Sequence, residues 1–158
     1  VSYGEGIIPT QWFNIGDPQT EYDPSQPLAV WDTSNLDGFY TVQVNVRSGS
    51  AALSTAFVYV NVDNIPPEAQ LTTSEPGKVY RFPTDSVVSL AVTVEDNTSI
   101  DRVEFYRDGE LIGMDAEWPY YIEVPIREPG NVTFAGRAYD QAGNSNQVEL
   151  PVEIIRGG

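Results

Sequence analysis

The sequence contains no cysteine and no histidine among its 158 residues. Cysteine nucleophiles, Ser-His triads and zinc sites built from thiolate or imidazole ligands are therefore excluded. Disulfide bonds are excluded as well, and small secreted eukaryotic β-domains often depend on them. The absence of cysteine favours a bacterial protein or an intracellular one, and we expect the bacterial envelope.

Basic residues are scarce. Lysine and arginine number 8 against 23 aspartate and glutamate residues, which gives a net charge of −15. A surface of this charge repels phosphate backbones and anionic lipid head groups, so nucleic acid and membrane surfaces are poor partner candidates. No apolar run approaches the ~20 residues that a membrane-spanning helix needs, so we expect no membrane insertion.

What the sequence does contain is alternation of apolar and polar residues. In FYTVQVNV (39–46), the residues Tyr40, Val42, Val44 and Val46 fall on one face, which is typical of a half-buried antiparallel strand. Similar segments follow at 55–63, 87–96, 101–109, 110–115, 119–124, 131–140 and 147–155. Turn residues separate them at the spacing of a β-sandwich. The segments 39–46 and 55–63 predict a hairpin, and Asp108-Gly109 predicts a two-residue hairpin loop between the segments 101–109 and 110–115. The sequence predicts an all-β protein.

Two prolines, Pro66 and Pro67, interrupt this series of strands. Proline lacks the backbone donor and has a fixed φ, so the pair cannot lie inside a central strand. A turn glycine, an alternating strand, a polar turn and a final strand begin at Gly38 and recur from Gly130, an offset of 92 residues. Repetition at this period predicts two tandem β-sandwiches, residues 1–65 and 66–158.

Four stretches carry a family resemblance: WDTSNLDGFYTVQVNV (31–46), VNVDNIPPEAQL (60–71), VEFYRDGELIG (103–113) and AYDQAGNSN (138–146). They resemble the bacterial immunoglobulin-like and fibronectin type III-like modules of envelope and secreted proteins. YGEGIIPTQWFNIG (3–16) resembles an early hairpin of the first module. Tandem modules with these sequence motifs resemble the C-terminal tail of class A penicillin-binding proteins. The resemblance implies two immunoglobulin-like sandwiches and an extracellular or cell-envelope location.

The two predicted modules differ in completeness. Residues 66–158 supply about seven strands, enough for a sandwich, whereas residues 1–65 supply about five. Either the first module is truncated at its N-terminus, or it is a reduced sandwich whose exposed edge pairs with another chain. Truncation is favoured, because long bare edges are selected against.

Several oxygen-bearing side chains are candidates for calcium ligation: Asp63, Asn64, Asp96, Asp140 and Asn144. The ordered spacing of an EF-hand is missing, and Asp and Asn are also the residues that strand-connecting turns prefer. We expect structural turns and no cofactor, with calcium binding as the alternative.

Aromatic residues offer a second candidate site. Trp118, Tyr120 and Tyr121 lie close together in the sequence and could stack on a sugar, whereas Trp31 is expected in a core. Buried aromatics are the usual case in small cores, so surface binding is the less favoured interpretation. Short sandwiches with tight turns offer little concavity for paired catalytic carboxylates, so we expect no enzyme.

Two functions remain open. The first is a non-catalytic pair of modules that acts as a semi-rigid spacer or accessory region for an upstream domain of the parent chain. The second is a binding module for adhesion, which recognises cell-wall glycan or a protein through strand edges or end loops.

Overall fold

The computed structural model describes all 158 residues and contains β-strands but no helix. The protein is all-β, as the alternation of residues predicted. The chain forms two compact units, Val1–Asn64 and Ile65–Gly158. No segment forms a helix that is long and apolar enough to cross a membrane.

The first unit is a single four-stranded sheet. Its strands are β1 (Ser2–Glu5), β2 (Phe13–Asn14), β3 (Gly38–Ser48) and β4 (Ala51–Val62), in the order β2-β1-β3-β4. All neighbours are antiparallel. β3 and β4 form the long hairpin that the sequence predicted, with Gly38 opposite Val62. β4 is the last strand of this sheet, so no strand pairs with its outer edge.

An aromatic cluster packs on one end of this sheet. The Tyr3 ring centroid lies 4.6 Å from that of Trp31 and 5.5 Å from that of Phe13, and Trp31 lies 5.6 Å from Tyr40. Tyr40 is buried, whereas Trp31, which was expected in a core, is only half-buried. Trp12 is more exposed and lies 6.5 Å from Phe57.

The second unit has two sheets. Its strands are β5 (Glu68–Thr73), β6 (Tyr80–Phe82), β7 (Val87–Glu95), β8 (Ile100–Arg107), β9 (Glu110–Asp115), β10 (Tyr120–Pro125), β11 (Gly130–Asp140) and β12 (Ser145–Arg156). One sheet has the order β10-β7-β5 and the other the order β6-β12-β11-β8-β9. β6 pairs parallel with β12, and all other neighbours are antiparallel.

The apolar faces of these two sheets form the core. Val88 and Leu90 on β7 and Val103 and Phe105 on β8 have no exposed surface, and Phe134 on β11 is almost fully buried. Alternating residues of each strand face inwards, which is the packing of a β-sandwich. The second unit is therefore a two-layer sandwich with a core of its own.

Candidate functional site

Asp140 is a buried charged residue at the end of β11. Its Oδ1 accepts a hydrogen bond from the backbone N–H of Asn144 at 2.8 Å, and its Oδ2 accepts one from Asn144 Nδ2, also at 2.8 Å. Gly143 supplies a positive φ of 95° between them. The structure thus brings together the two candidate ligands Asp140 and Asn144, and their direct contact closes the turn into β12.

Asp96 lies just after β7 and forms a second, smaller turn. Its Oδ2 accepts hydrogen bonds from the backbone N–H of Thr98 at 3.0 Å and from Thr98 Oγ1 at 2.8 Å. Its Oδ1 is buried without a hydrogen-bond donor. One carboxylate oxygen of Asp96 lies within 4.8 Å of one of Asp140. In the second unit, this pair is the place where a divalent cation could gain two carboxylate ligands.

Asp63 and Asn64 close the first unit. The backbone N–H of Asn64 donates to Asp37 Oδ1, and its Nδ2 donates to the carbonyl oxygens of Thr33 and Leu36, each at 2.7 Å. The Asn64 amide therefore holds the loop before β3. Asp63 is half-buried. Calcium binding by Asp63, Asn64, Asp96, Asp140 or Asn144 stays a prediction.

The predicted aromatic site divides between the surface and the core. Trp118 is 81% exposed and Tyr121 is 59% exposed, but Tyr120 is only 8% exposed and belongs to the core of the second unit. Successive residues of a strand point to opposite faces, which separates Tyr120 from Tyr121. Burial, and secondly the negative charge of Asp115, raises the pKa of Tyr120. Tyr120 therefore offers no ring to a ligand.

The loop that displays Trp118 is braced by Asp115. Asp115 Oδ1 accepts a hydrogen bond from the backbone N–H of Glu117 at 3.1 Å, and its Oδ2 accepts one from that of Tyr121 at 3.3 Å. These bonds tie the end of β9 to the start of β10. Trp118 is thus an exposed aromatic side chain on a short, internally bonded loop.

A charged network on the outer face of the five-stranded sheet was not predicted. Glu104 accepts hydrogen bonds from Arg102 Nε at 2.9 Å and from the Tyr106 hydroxyl at 2.6 Å. The guanidinium carbon of Arg102 lies 3.9 Å from the Tyr139 ring centroid, and that of Arg137 lies 5.0 Å from it. This geometry allows cation–π attraction.

The electrostatics of this network follow from its hydrogen bonds. The bond to Glu104 is the main cause that raises the pKa of Tyr106 to about 12. The same bond, followed by the one from Arg102, lowers the pKa of Glu104. The polar positions 102, 104 and 106 alternate along β8, so an outward polar face was readable from the sequence. Their partners on β11 depend on strand register.

Comparison with a family model supports an immunoglobulin-like fold for the second unit. Residues 67–135 match the bacterial Ig domain family, Big_7. Immunoglobulin-like domains are typically non-catalytic. The fibronectin(III)-like modules of Clostridium thermocellum CbhA are a similar solved structure. Their identity is 26%, the match covers 56% of this chain and 100% of that one, and the TM-score is 0.46. No curated protein matches the chain. Neither match shows the tail of a penicillin-binding protein.

Proposed function

We propose that the chain is a non-catalytic accessory region of a bacterial extracellular or cell-envelope protein, and that it acts as a semi-rigid spacer for an upstream domain. The observation that carries this proposal is the anchoring of the chain on both sides of the joint, by which we mean residues 65–66 between the two units. Asn64 is tied into the first unit by its three hydrogen bonds. Pro67 is among the fully buried side chains and leads into β5.

Only Ile65 and Pro66 lie between these two anchored residues. Proline fixes φ of Pro66 at about −65°, and the residue before a proline is held in extended conformations. The joint therefore has few backbone alternatives. A spacer needs this property, because a flexible joint would let the upstream domain sample all orientations.

Solution scattering tests the spacer. The variant Ile65→Gly/Pro66→Gly keeps buried Pro67 and makes the joint a flexible coil, so we expect a broader distribution of interatomic distances than in the parent chain. Pro76→Gly is the matched control, since Pro76 is exposed in a loop of the second unit. Identical distributions for the parent chain and the joint variant would reject the semi-rigid spacer.

A binding module is the second candidate function, and the exposed ring of Trp118 favours it. The proposed partner is cell-wall glycan or a protein, since an aromatic face can pack on the apolar face of a sugar or on a protein side chain. Sedimentation with purified peptidoglycan checks this role. Retention that is lost in Trp118→Ala, but kept when the similarly exposed Tyr59 is changed to alanine, would establish binding at this loop.

A further inference from the structure

The sheet of the first unit repeats most of the five-stranded sheet of the second. Both contain a hairpin of an 11-residue and a 12-residue strand, β3–β4 and β11–β12. Gly38 lies opposite Val62 and Gly130 opposite Ile154, so the offset from 38 to 130 equals that from 62 to 154. β1 and β2 flank the first hairpin as β8 and β9 flank the second.

In the second unit, other strands cover the inner face and the edge of this hairpin. Val132, Phe134 and Ala138 on that face are buried. A Cβ built on Gly136 would lie 2.7 Å from Val92 Cγ2, so β7 lies directly on the hairpin. β6 pairs with β12, the outer strand of the hairpin, from Tyr80 to Phe82. The segment that contains β6 and β7 thus covers both surfaces.

In the first unit no second sheet covers the corresponding face, and no strand pairs with the outer edge of β4. We call the side chains of Val42, Val44, Val46 and Val58 the valine face, since strand alternation and register place them together. Val46 is 52% and Val58 59% exposed. A groove of about 600 Å³ lies between Val44 and Val46 on one side and Tyr22 and Leu28 of the loop before β3 on the other. Trp31 packs on Tyr40 at one end only.

The edge strand β4 lacks the residues that normally prevent another strand from pairing with an exposed edge. Residues 48–62 contain no charged side chain and no proline, although the chain carries a net charge of −15. Charges and prolines are the usual protection of an exposed edge strand, and β4 has neither. An uncharged edge beside an apolar face is suited to the addition of another strand.

The size of the surface argues against a second copy as its occupant. At ~3.3 Å per residue and ~4.8 Å between strands, two such hairpin faces would bury roughly 700 Å² in total. Stable dimers bury about 1,200–2,000 Å². Residues 1–64 also contain seven acidic residues and one arginine, so two copies would repel. A segment that covers both face and edge gains more contact without this repulsion.

We infer that the valine face and the free edge of β4 bind an extended polypeptide segment with aliphatic residues at alternate positions, the counterpart of β6 and β7, which lies on the amino-terminal side of β1. In the second unit β5, β6 and β7 all precede β8, the counterpart of β1. A segment attached in this way binds at the high effective concentration of an intramolecular reaction. The inference is independent of the spacer role.

A grafted chain tests this inference. A second copy of residues 79–96, VYRFPTDSVVSLAVTVED, is joined by a Gly-Ser linker to the amino end of the full 158-residue chain. We expect amide hydrogen exchange in residues 51–62 to slow by at least about tenfold relative to the ungrafted chain. The control graft carries serine in place of its copies of Val88, Leu90 and Val92, and should give no slowing.

Charge placed on either side of β4 adds specificity to the test. Val58→Asp should abolish the slowing, whereas Asn61→Asp, on the opposite face of the same strand, should leave it intact. Equal exchange with the two grafts would overturn the inference. So would dimerisation of the ungrafted chain that Val58→Asp abolishes in sedimentation experiments, since a second copy would then occupy the face.

Discussion

Asp96 and Asp140 show how much of a carboxylate's hydrogen-bonding capacity a turn can use. Both oxygens of Asp140 accept hydrogen bonds from Asn144, and Oδ2 of Asp96 accepts two from Thr98. Oδ1 of Asp96 is buried without a donor. Asp and Asn in these positions close turns by bonding nearby backbone N–H groups, which is the role that their residue types predicted.

Calcium dependence can be checked at these residues. Because three of the four carboxylate oxygens are occupied by turn hydrogen bonds, we expect the same thermal midpoint in EDTA and in millimolar calcium. A ligand that binds only the folded state raises the midpoint by mass action. A rise of several degrees in calcium that disappears in Asp96→Asn would contradict this expectation.

The Tyr106 hydroxyl gives a pH prediction. Its pKa is raised to about 12, mainly by the hydrogen bond to Glu104, from an ordinary value of roughly 10. The folded state thus favours the protonated hydroxyl. The resulting stability is complete below pH ~10 and is lost as the pH rises towards ~12.

Ultraviolet absorbance of the phenolate measures this pKa. The difference titration between the parent chain and Tyr106→Phe should show a midpoint at pH about 12. In Glu104→Gln the midpoint should fall towards roughly 10, because the negative acceptor is gone. A midpoint that Glu104→Gln leaves unchanged would mean that the hydrogen bond is not the cause.

At the scale of elements, hairpins were the easiest features to predict. Asp108-Gly109 joins β8 and β9 with positive φ at both residues, 50° and 86°, as a two-residue hairpin loop requires. β6 was missed. It has only three residues, Tyr80–Phe82, and it pairs with residues some 70 positions later in the chain, from Ile154 to Arg156. A strand of this length carries too little alternation to be recognised.

The contact between the two sheets of the second unit can be tested at Gly136. A Cβ there would lie 2.7 Å from Val92 Cγ2, so Gly136→Ala should destabilise the unit by about 1–3 kcal/mol through overpacking. Val92→Ala in the same chain removes the clashing methyl groups. The double variant should therefore lose less stability than the two single variants predict together, as measured by urea unfolding. Strict additivity would show that the two positions do not touch.

At the scale of the whole molecule, the two units differ in how much core they contain. The buried hydrophobic residues of the first unit are Ile15, Tyr40 and Val62, whereas the second unit has a continuous core from both of its sheets. Burial of apolar side chains is the main favourable contribution to folding. We therefore expect the second unit to be the more stable of the two.

We expect this difference to appear in amide hydrogen exchange of the full chain. Residues of β7, β8 and β11 should exchange slowest, and those of β3 and β4 should exchange faster by orders of magnitude, since local opening is easier where few apolar contacts hold a strand. Mass spectrometry of peptic fragments measures this. Equal protection of β4 and β11 would contradict the assignment of an open sheet.

The sequence by itself determined the all-β class, the long hairpins and the repeat from Gly38 to Gly130, because alternation and turn residues act over a few neighbouring positions. Only the tertiary structure decided which of the adjacent residues Tyr120 and Tyr121 is buried, and that Glu104 meets Tyr106 and Arg102. It also decided that the valine face has no covering sheet. Burial depends on which distant strand packs on a given face, and local residue patterns do not encode that partner.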